Sequence, residues 1–230
     1  MTSAIIVAAG QGTRMGAGVD KLFLMAAGRP VVAHTWSLYD AAPFIDEVIL
    51  VVRPERRIQF EEWGARLGFR KTFRFVSGGR ERQDSVWNGL GALDPKAQLV
   101  AIHDGARPCT PLELVERTVE RARASGAAVA ARRVTDTVKE SEDGDRILRT
   151  LDRARLWTVQ TPQAFRVETI RRALAKVRDA GLQVTDDTAA CELVGQPVSL
   201  VESTALNPKV TVAADLLLVE ALLARSAGRG

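Results

Sequence analysis

Short apolar runs alternate with turns and longer amphipathic stretches over more than half of the chain. Ala4-Ile5-Ile6-Val7-Ala8 comes first. It is apolar at successive positions and rich in β-branched residues, which predicts a strand buried on both faces. Val48 to Val52, Arg74 to Val76, Leu99 to Ile102 and Ala127 to Val134 repeat the pattern. Helices are expected from Val31 to Ala41, stopping before Pro43, and from Pro54 through Ile58, Phe60, Trp63 and Leu67 to Gly68. Pro54 suits a first helical turn, where its missing N–H does no harm. Two more helices follow the turn Ser77 to Val86 and Pro111. Strand, turn and helix in this rhythm predict an α/β architecture, a mostly parallel sheet covered by helices.

Other stretches interrupt the rhythm. Lys21 to Met25 reads as a short extended piece, with a turn at Gly28-Arg29-Pro30. Residues 135–153 read as a β-hairpin arm, with Thr137 to Lys139 and Arg146 to Leu148 flanking a turn near Asp143-Gly144. Its flanks carry too few apolar residues to bury both faces. It is either a solvated hairpin or one that finishes folding against another subunit. Beyond it, Trp157-Thr158-Val159 enters Gln160 to Phe165, and a helix is expected from Val167 to Ala180. Thr185 to Thr188 suggests an N-cap before a helix through Leu193. Val198 to Val201 is a late strand, and a terminal helix begins near Ala213. No repeat or linker divides the chain, so residues 1–230 are expected to form a single domain.

Composition narrows the partners. With 46% hydrophobic and 26% charged residues, the 230-residue chain suits a compact fold with a sizeable core. The net charge of +4 is spread along the chain and aromatic residues make up only 5%, so nucleic acid is not the expected partner. A small anion matches that balance. Cys109 and Cys191 show no C-x-x-C spacing, which suits a reducing compartment. No apolar run is long enough to span a membrane and no leader precedes the first strand, so a cytoplasmic protein is expected.

The first strand empties into Ala8-Ala9-Gly10-Gln11-Gly12-Thr13-Arg14-Met15-Gly16, and Lys21 follows. Glycines let the backbone present successive N–H groups as an anion-binding concavity, and Arg14 and Lys21 add two cations. Met15 stands where a dinucleotide fingerprint needs glycine, and G-x-x-x-x-G-K-[ST] does not occur. A polyphosphate site and a solvated glycine-rich turn both remain open at this point. Gly78-Gly79 and Asp104 to Pro108 form two further special turns after strands. Ligands of parallel sheets bind where strands end, so these turns converge on one composite site.

The turns taken together resemble one family, 2-C-methyl-D-erythritol 4-phosphate cytidylyltransferase. The carrying residues are Ala8-Ala9-Gly10 with Gly12, Arg14, Met15 and Lys21, then Gly78-Gly79 with Arg82, Asp84 and Ser85, and Asp104 with Ala106-Arg107-Pro108. Asp136-Thr137, Asp152-Arg153, Leu156-Trp157, Thr161-Pro162-Gln163, Thr185-Asp186 and Lys209-Val210-Thr211 continue the order. Each motif is weak alone, but the ordered set is specific. The resemblance implies a Rossmann-like nucleotidyltransferase fold, a three-layer sandwich with a protruding arm. It implies transfer of CMP from CTP to methylerythritol phosphate in the non-mevalonate isoprenoid route, with magnesium. A homodimer built through the arm is implied as well.

By the same resemblance Arg14, Lys21, Arg153 and Lys209 are catalytic, and Ala8, Ala9, Gly10, Gly12, Gly79, Asp84 and Ser85 hold the nucleotide. Asp104, Arg107, Thr137, Thr161 and Thr185 contact the polyol phosphate, with Asp104 also a metal ligand. His34 and His103 read as structural. Asp20, directly before Lys21, departs from the family's usual proline; Gly105 and Pro208 are further departures. The rival readings are a ribitol 5-phosphate cytidylyltransferase, a non-catalytic nucleotide-binding regulator and, with Arg53 at a 2′-phosphate, a dehydrogenase.

Overall fold

Alternation along the first strand divides the core in two. The computed structural model describes residues 1–10 and 20–227. In β1 (Thr2–Ala8), Ala4, Ile6 and Ala8 join one apolar cluster and Ile5 joins another on the opposite face. β4 (Glu47–Val52) divides in the same way, with Val48, Leu50 and Val52 on one side and Ile49 and Val51 on the other. A strand buried on both faces needs helices above and below it.

The first face is covered by α1 (Val31–Ala41), α2 (Arg57–Leu67), α4 (Leu112–Ser125) and α7 (Asp215–Ala227). Trp36 and Tyr39 from α1, Phe60 from α2, Val115 and Val119 from α4 and Val219 from α7 are its buried contributions. The second face is covered by α3 (Arg82–Gly91), α5 (Val167–Asp179) and α6 (Asp187–Leu193), through Val86, Leu90, Ile170, Leu174 and Cys191. The result is the three-layer α/β sandwich expected from the sequence.

The remaining sheet strands are β5 (Thr72–Ser77), β6 (Leu99–Asp104), β7 (Ala127–Arg133), β10 (Trp157–Arg166) and β11 (Ser199–Glu202). Across the seven-stranded sheet the order is β11-β7-β10-β6-β1-β4-β5. All neighbouring pairs are parallel except those of β10, which runs antiparallel to both β6 and β7. The sequence pattern sets Trp157 to Val159 apart from Gln160 to Phe165, whereas one strand runs through both to Arg166. Thr161 and Gln163 broke its apolar pattern because their polar groups are buried in hydrogen bonds near the sheet edge.

Two other local expectations change. Lys21 to Met25 is not extended: Asp20 accepts from the Phe23 amide through its carbonyl at 3.0 Å and from the Leu22 amide through its carboxylate at 3.1 Å. These bonds coil the segment, and only β2 (Met25–Ala26) and β3 (Arg29–Pro30) pair, as a small hairpin. The arm pairs β8 (Lys139–Glu140) with β9 (Arg149–Thr150), so the first strand starts nearer the tip and the second farther from it than expected. Asp143 accepts from the amides of Asp145 and Arg146, both at 2.9 Å, and this local turn displaces the ladder. Ile147 and Leu148 stay exposed.

Cys109 and Cys191 are free thiols, and burial pushes their pKa values up to about 11 and about 12. Among the described residues no helix is long and apolar enough to cross a membrane.

Candidate active site

Four parallel strands end side by side, and each empties into a turn of special composition. β1 leads to Ala9-Gly10, β4 to Arg53-Pro54, β5 to Gly78-Gly79 and β6 to Asp104-Gly105. The ladder continues one step beyond the strands: Gly78 donates to the Val52 carbonyl and Gly105 to the Val7 carbonyl, both at 2.9 Å. Between these turns lies a cavity of about 540 Å³. Ala9, Gly10, Lys21, Gly79, Ser85, Asp104 and Lys209 line it, joined by Arg53, Arg80 and Arg82.

One wall is made of backbone. A Cβ on Gly78 would lie 2.3 Å from the Ala9 Cβ, and one on Gly79 would lie 2.2 Å from the Asp84 Cβ. Ser85 reinforces the turn: its Oγ accepts from the Gly79 amide at 3.0 Å and donates to the Glu81 carbonyl at 3.2 Å. Asp84 accepts from the Glu81 amide at 3.1 Å, the return half of a capping box. Both side chains therefore shape the α3 entrance. Gly79→Ala must open this turn, and we expect the KM of a ligand packed on this backbone wall to rise about tenfold or more with kcat changed far less, a split read from initial rates. An unchanged KM would show that the turn has slack.

The opposite wall is electrostatic. The Asp104 carboxylate is met by Lys209 Nζ at 2.8 Å, Arg82 Nε at 3.4 Å and Arg107 Nε at 3.7 Å. Burial alone would push its carboxyl up, but Arg82, Lys209 and Arg107 outweigh burial and hold it well below the usual carboxylate range. Arg82 continues to Asp187 Oδ2 at 2.8 Å, at the start of α6, where the aspartate is buried. Gln163 closes the chain, donating to Asp186 at 2.9 Å and accepting from the Asp187 amide at 3.1 Å. A single network thus joins α3, β6, β10 and α6 around the cleft.

Lys209 owes its place to Asn207. The Asn207 amide donates to the Thr161 carbonyl at 2.9 Å, and its oxygen accepts from Thr110 at 2.7 Å. Arg107 donates to the Asn207 carbonyl at 2.7 Å, and the Val210 amide bonds the Ala106 carbonyl at 2.8 Å. Thr161 is buried, and its Oγ1 accepts from the Asp104 amide at 3.1 Å. Lys21 sits near the same corner. Asp215 is held below the ordinary carboxylate range by the Val212 amide and then the Thr211 amide and hydroxyl, with Lys21 adding to the effect.

The cleft therefore unites Lys21, Lys209, Asp104, Ala9, Gly10, Gly79 and Ser85. Ala8 is buried in β1 just beneath. Asp84, Arg107 and Thr161 stand one layer behind as supports. Thr137, Arg153 and Thr185 are not gathered into it: Thr137 and Arg153 are exposed, and Arg153 donates to the Thr135 carbonyl at 2.5 Å at the base of the arm. Gly12 and Arg14 lie outside the described residues. Sequence reading left Arg82 out of the site and passed over Asp187 and Asn207. Arg82 and Asp187 lie 105 positions apart, so no local signal connects them.

For a divalent metal, the described residues contain no group of three His, Cys, Asp or Glu side chains able to hold one. Both Asp104 oxygens already face cations within 4 Å. This donor set does not fit a metal held by the protein, because a further cation would enter among three positive groups.

His34 and His103 are bound within the fold. His34 Nε2 lies 2.7 Å from the Ala26 carbonyl, and buried His103 Nε2 lies 3.2 Å from Thr110 Oγ1. Burial, the largest influence, pulls the His103 pKa from 6.5 down to about 4 against the opposing charge of Asp104. A base whose folded pKa is depressed contributes fully above its unfolded value, and that contribution fades as pH falls towards the folded one. Stability should therefore start to drop below about pH 6.5 and continue to about pH 4. Asp104 adds loss at lower pH, below its ordinary value of 3.8. Urea midpoints across this range test the first limb, which His103→Gln should flatten; persistence of that limb in the variant would assign it elsewhere.

Comparison with known proteins gives concordant matches. The family profile described as 2-C-methyl-D-erythritol 4-phosphate cytidylyltransferase matches residues 2–225. A protein of that name from Geobacillus thermodenitrificans (strain NG80-2) is 43% identical over 221 residues, covering 96% of each chain. The crystal structure of 4-diphosphocytidyl-2C-methyl-D-erythritol synthase from Anaerococcus prevotii DSM 20548 superposes with a TM-score of 0.86 at 32% identity, covering 97% of this chain and 98% of that one. The 2-C-methyl-D-erythritol 4-phosphate cytidylyltransferase of Thermus thermophilus gives 0.78 at 34% identity, covering 96% and 98%.

Proposed function

The chain belongs to the 2-C-methyl-D-erythritol 4-phosphate cytidylyltransferase family, and from that premise we propose how its cleft performs the reaction. The activity is transfer of CMP from CTP to 2-C-methyl-D-erythritol 4-phosphate, giving 4-diphosphocytidyl-2-C-methyl-D-erythritol and diphosphate, a step in making isoprenoid precursors. A phosphate monoester oxygen attacks the α-phosphorus, a new P–O bond forms, and the bond to the bridging oxygen of diphosphate breaks. The attacking group is already an anion at neutral pH, so no base need remove a proton. The obstacle is the approach of one anion to another, which positioning and fixed positive charge can lower.

The observation that carries this reading is the pairing of a backbone wall with a cationic wall across one cavity. Ala9, Gly10, Gly79 and Ser85 leave room for cytosine and ribose against the backbone. Lys21 faces the triphosphate and, with the family's second cation at Arg14, takes up the charge that develops on the leaving diphosphate. Lys209 holds the phosphate of the second substrate in line. Asp104 keeps Lys209, Arg82 and Arg107 together without a bound substrate and orients the polyol. Magnesium is proposed to arrive with CTP rather than on a site of the protein, and it would supply neutralisation of phosphate charge.

The arm is proposed to cover a second copy of the chain, giving a homodimer. Exposed Ile147 and Leu148 support that reading, since the described chain buries neither. Arg153 and Thr137, which stand on the arm away from their own cleft, would then serve the partner's. A cytoplasmic location is proposed from the reduced cysteines and the two small phosphorylated substrates.

The test is diphosphate release from CTP with magnesium, comparing methylerythritol phosphate with ribitol 5-phosphate. Release with the first alone supports the assignment. Release with the second alone would keep the nucleotide site and overturn the polyol.

A further inference from the structure

Lys21 stands next to an acid, and an acid beside a catalytic cation should weaken its field unless its charge is taken up elsewhere. Asp20 is nearly buried, with a side chain 7% exposed. Its Oδ2 is bonded by the Arg53 guanidinium, and Arg56 Nε lies 3.7 Å away. Its Oδ1 accepts from the Leu22 amide at 3.1 Å, and its carbonyl accepts from Phe23 at 3.0 Å. The two backbone amides bend the chain tightly around Lys21, and Leu22 is then driven into the core. Arg53 is the first residue beyond β4, at the carboxyl edge of the sheet, and it lines the same cavity as Lys21.

From this arrangement we infer that Asp20 and Arg53 form a clasp that positions Lys21 for the nucleotide's phosphates. Asp20 sets the turn, and Arg53 ties that turn to the rigid end of a central strand. The guanidinium also takes up the charge of the acid, so Asp20 does not compete with the ligand for Lys21. A largely desolvated pair with both partners hydrogen-bonded holds geometry in a way that an exposed pair does not. Asp20 and Arg53 are positioning residues, since they act through Lys21. The inference rests on the role proposed for Lys21.

The experiment measures diphosphate release by the full chain at saturating methylerythritol phosphate over a range of CTP concentrations. The variants are Asp20→Asn, Arg53→Gln, Arg53→Lys, Lys21→Ala and the Asp20→Asn, Lys21→Ala double. Asparagine keeps an acceptor for the Leu22 amide, removes the charge and turns the oxygen that Arg53 bonds into an NH2 donor. Asp20→Asn and Arg53→Gln should each lower kcat about tenfold, with the KM for CTP within about threefold, because a small misplacement mainly affects the transition state. Arg53→Lys should recover most of that loss. In the Lys21→Ala background, Asp20→Asn should change the rate by less than about twofold, since coupled residues are not additive. Should Asp20→Asn fail to fold, Arg53→Gln combined with Lys21→Ala makes the same comparison.

An Asp20→Asn loss that multiplies in full onto Lys21→Ala would overturn the clasp alone. So would a lower KM for CTP in Asp20→Asn with a higher one in Arg53→Gln, because Arg53 would then grip the phosphates itself. Wild-type turnover by Lys21→Ala would overturn the role of Lys21 and the clasp with it.

Discussion

Lys21→Ala is expected to lower kcat by about two orders of magnitude or more while CTP binding weakens only a few-fold. A preorganised cation aimed at developing charge acts mainly in the transition state, and removing one such group costs about 10²–10³ in rate. Lys21 lines the cleft beneath the glycine turns, and its charge is felt as far as Asp215. In the proposed site the ground-state nucleotide keeps its other contacts, its base and ribose on the turn at Gly79 and its phosphates in the field of the remaining cations. Single-turnover rates and calorimetric CTP binding separate the two effects. A variant that loses only CTP affinity, with normal turnover at saturation, would make Lys21 a binding group and move the catalytic burden to Arg14 or Lys209. Lys21→Arg should not rescue fully, since a planar fork cannot occupy the place of a point charge.

Arg82→Met should have the largest effect on stability, about 3–5 kcal/mol, because breaking a buried ion pair strands the remaining charges. The side chains of Asp187 and Asp104, its two partners, are 1% and 10% exposed. Loss of the guanidinium removes the partner of Asp187 Oδ2, and its buried Oδ1 has no hydrogen-bond partner to compensate. We expect the urea midpoint to fall accordingly, and turnover to fall as well because Asp104 loses one of its three anchors. A double variant, Arg82→Met with Asp187→Leu, should regain most of the stability, since an apolar pair of similar volume can replace a buried ion pair. It should regain little of the turnover, because Asp104 is still short of a partner. A single variant within about 1 kcal/mol of wild type would mean that water reaches this network.

Much of this architecture is legible in the order of residues. The β-branched run Ala4 to Ala8 and its repeats point to parallel strands, and each lies in the sheet near its expected boundaries. The glycine pairs and the Asp104 turn are recognisable because strand ends followed by special turns mark binding edges. What is obscured is also specific. Asp20 captures two amides and coils a segment whose composition reads as strand. Buried Thr161 and Gln163 interrupt the apolar pattern of β10, because an interior strand bordering the cleft uses polar side chains to hold its neighbours.

The class of fold, the family and the sheet edge where the special turns gather follow from the chain alone, since hydrophobic period and turn chemistry are local properties. Which charges meet is settled in three dimensions. Asp104 could have been a metal ligand, a turn cap or a substrate anchor as far as its neighbours in sequence could say. It meets Arg82, Arg107 and Lys209 because β6, α3 and the segment after β11 converge at one sheet edge. Asp20 likewise gains its meaning from Arg53, 33 residues away. Electrostatic partnership depends on distance in space and on exclusion of water, and neither is encoded at any single stretch of the chain.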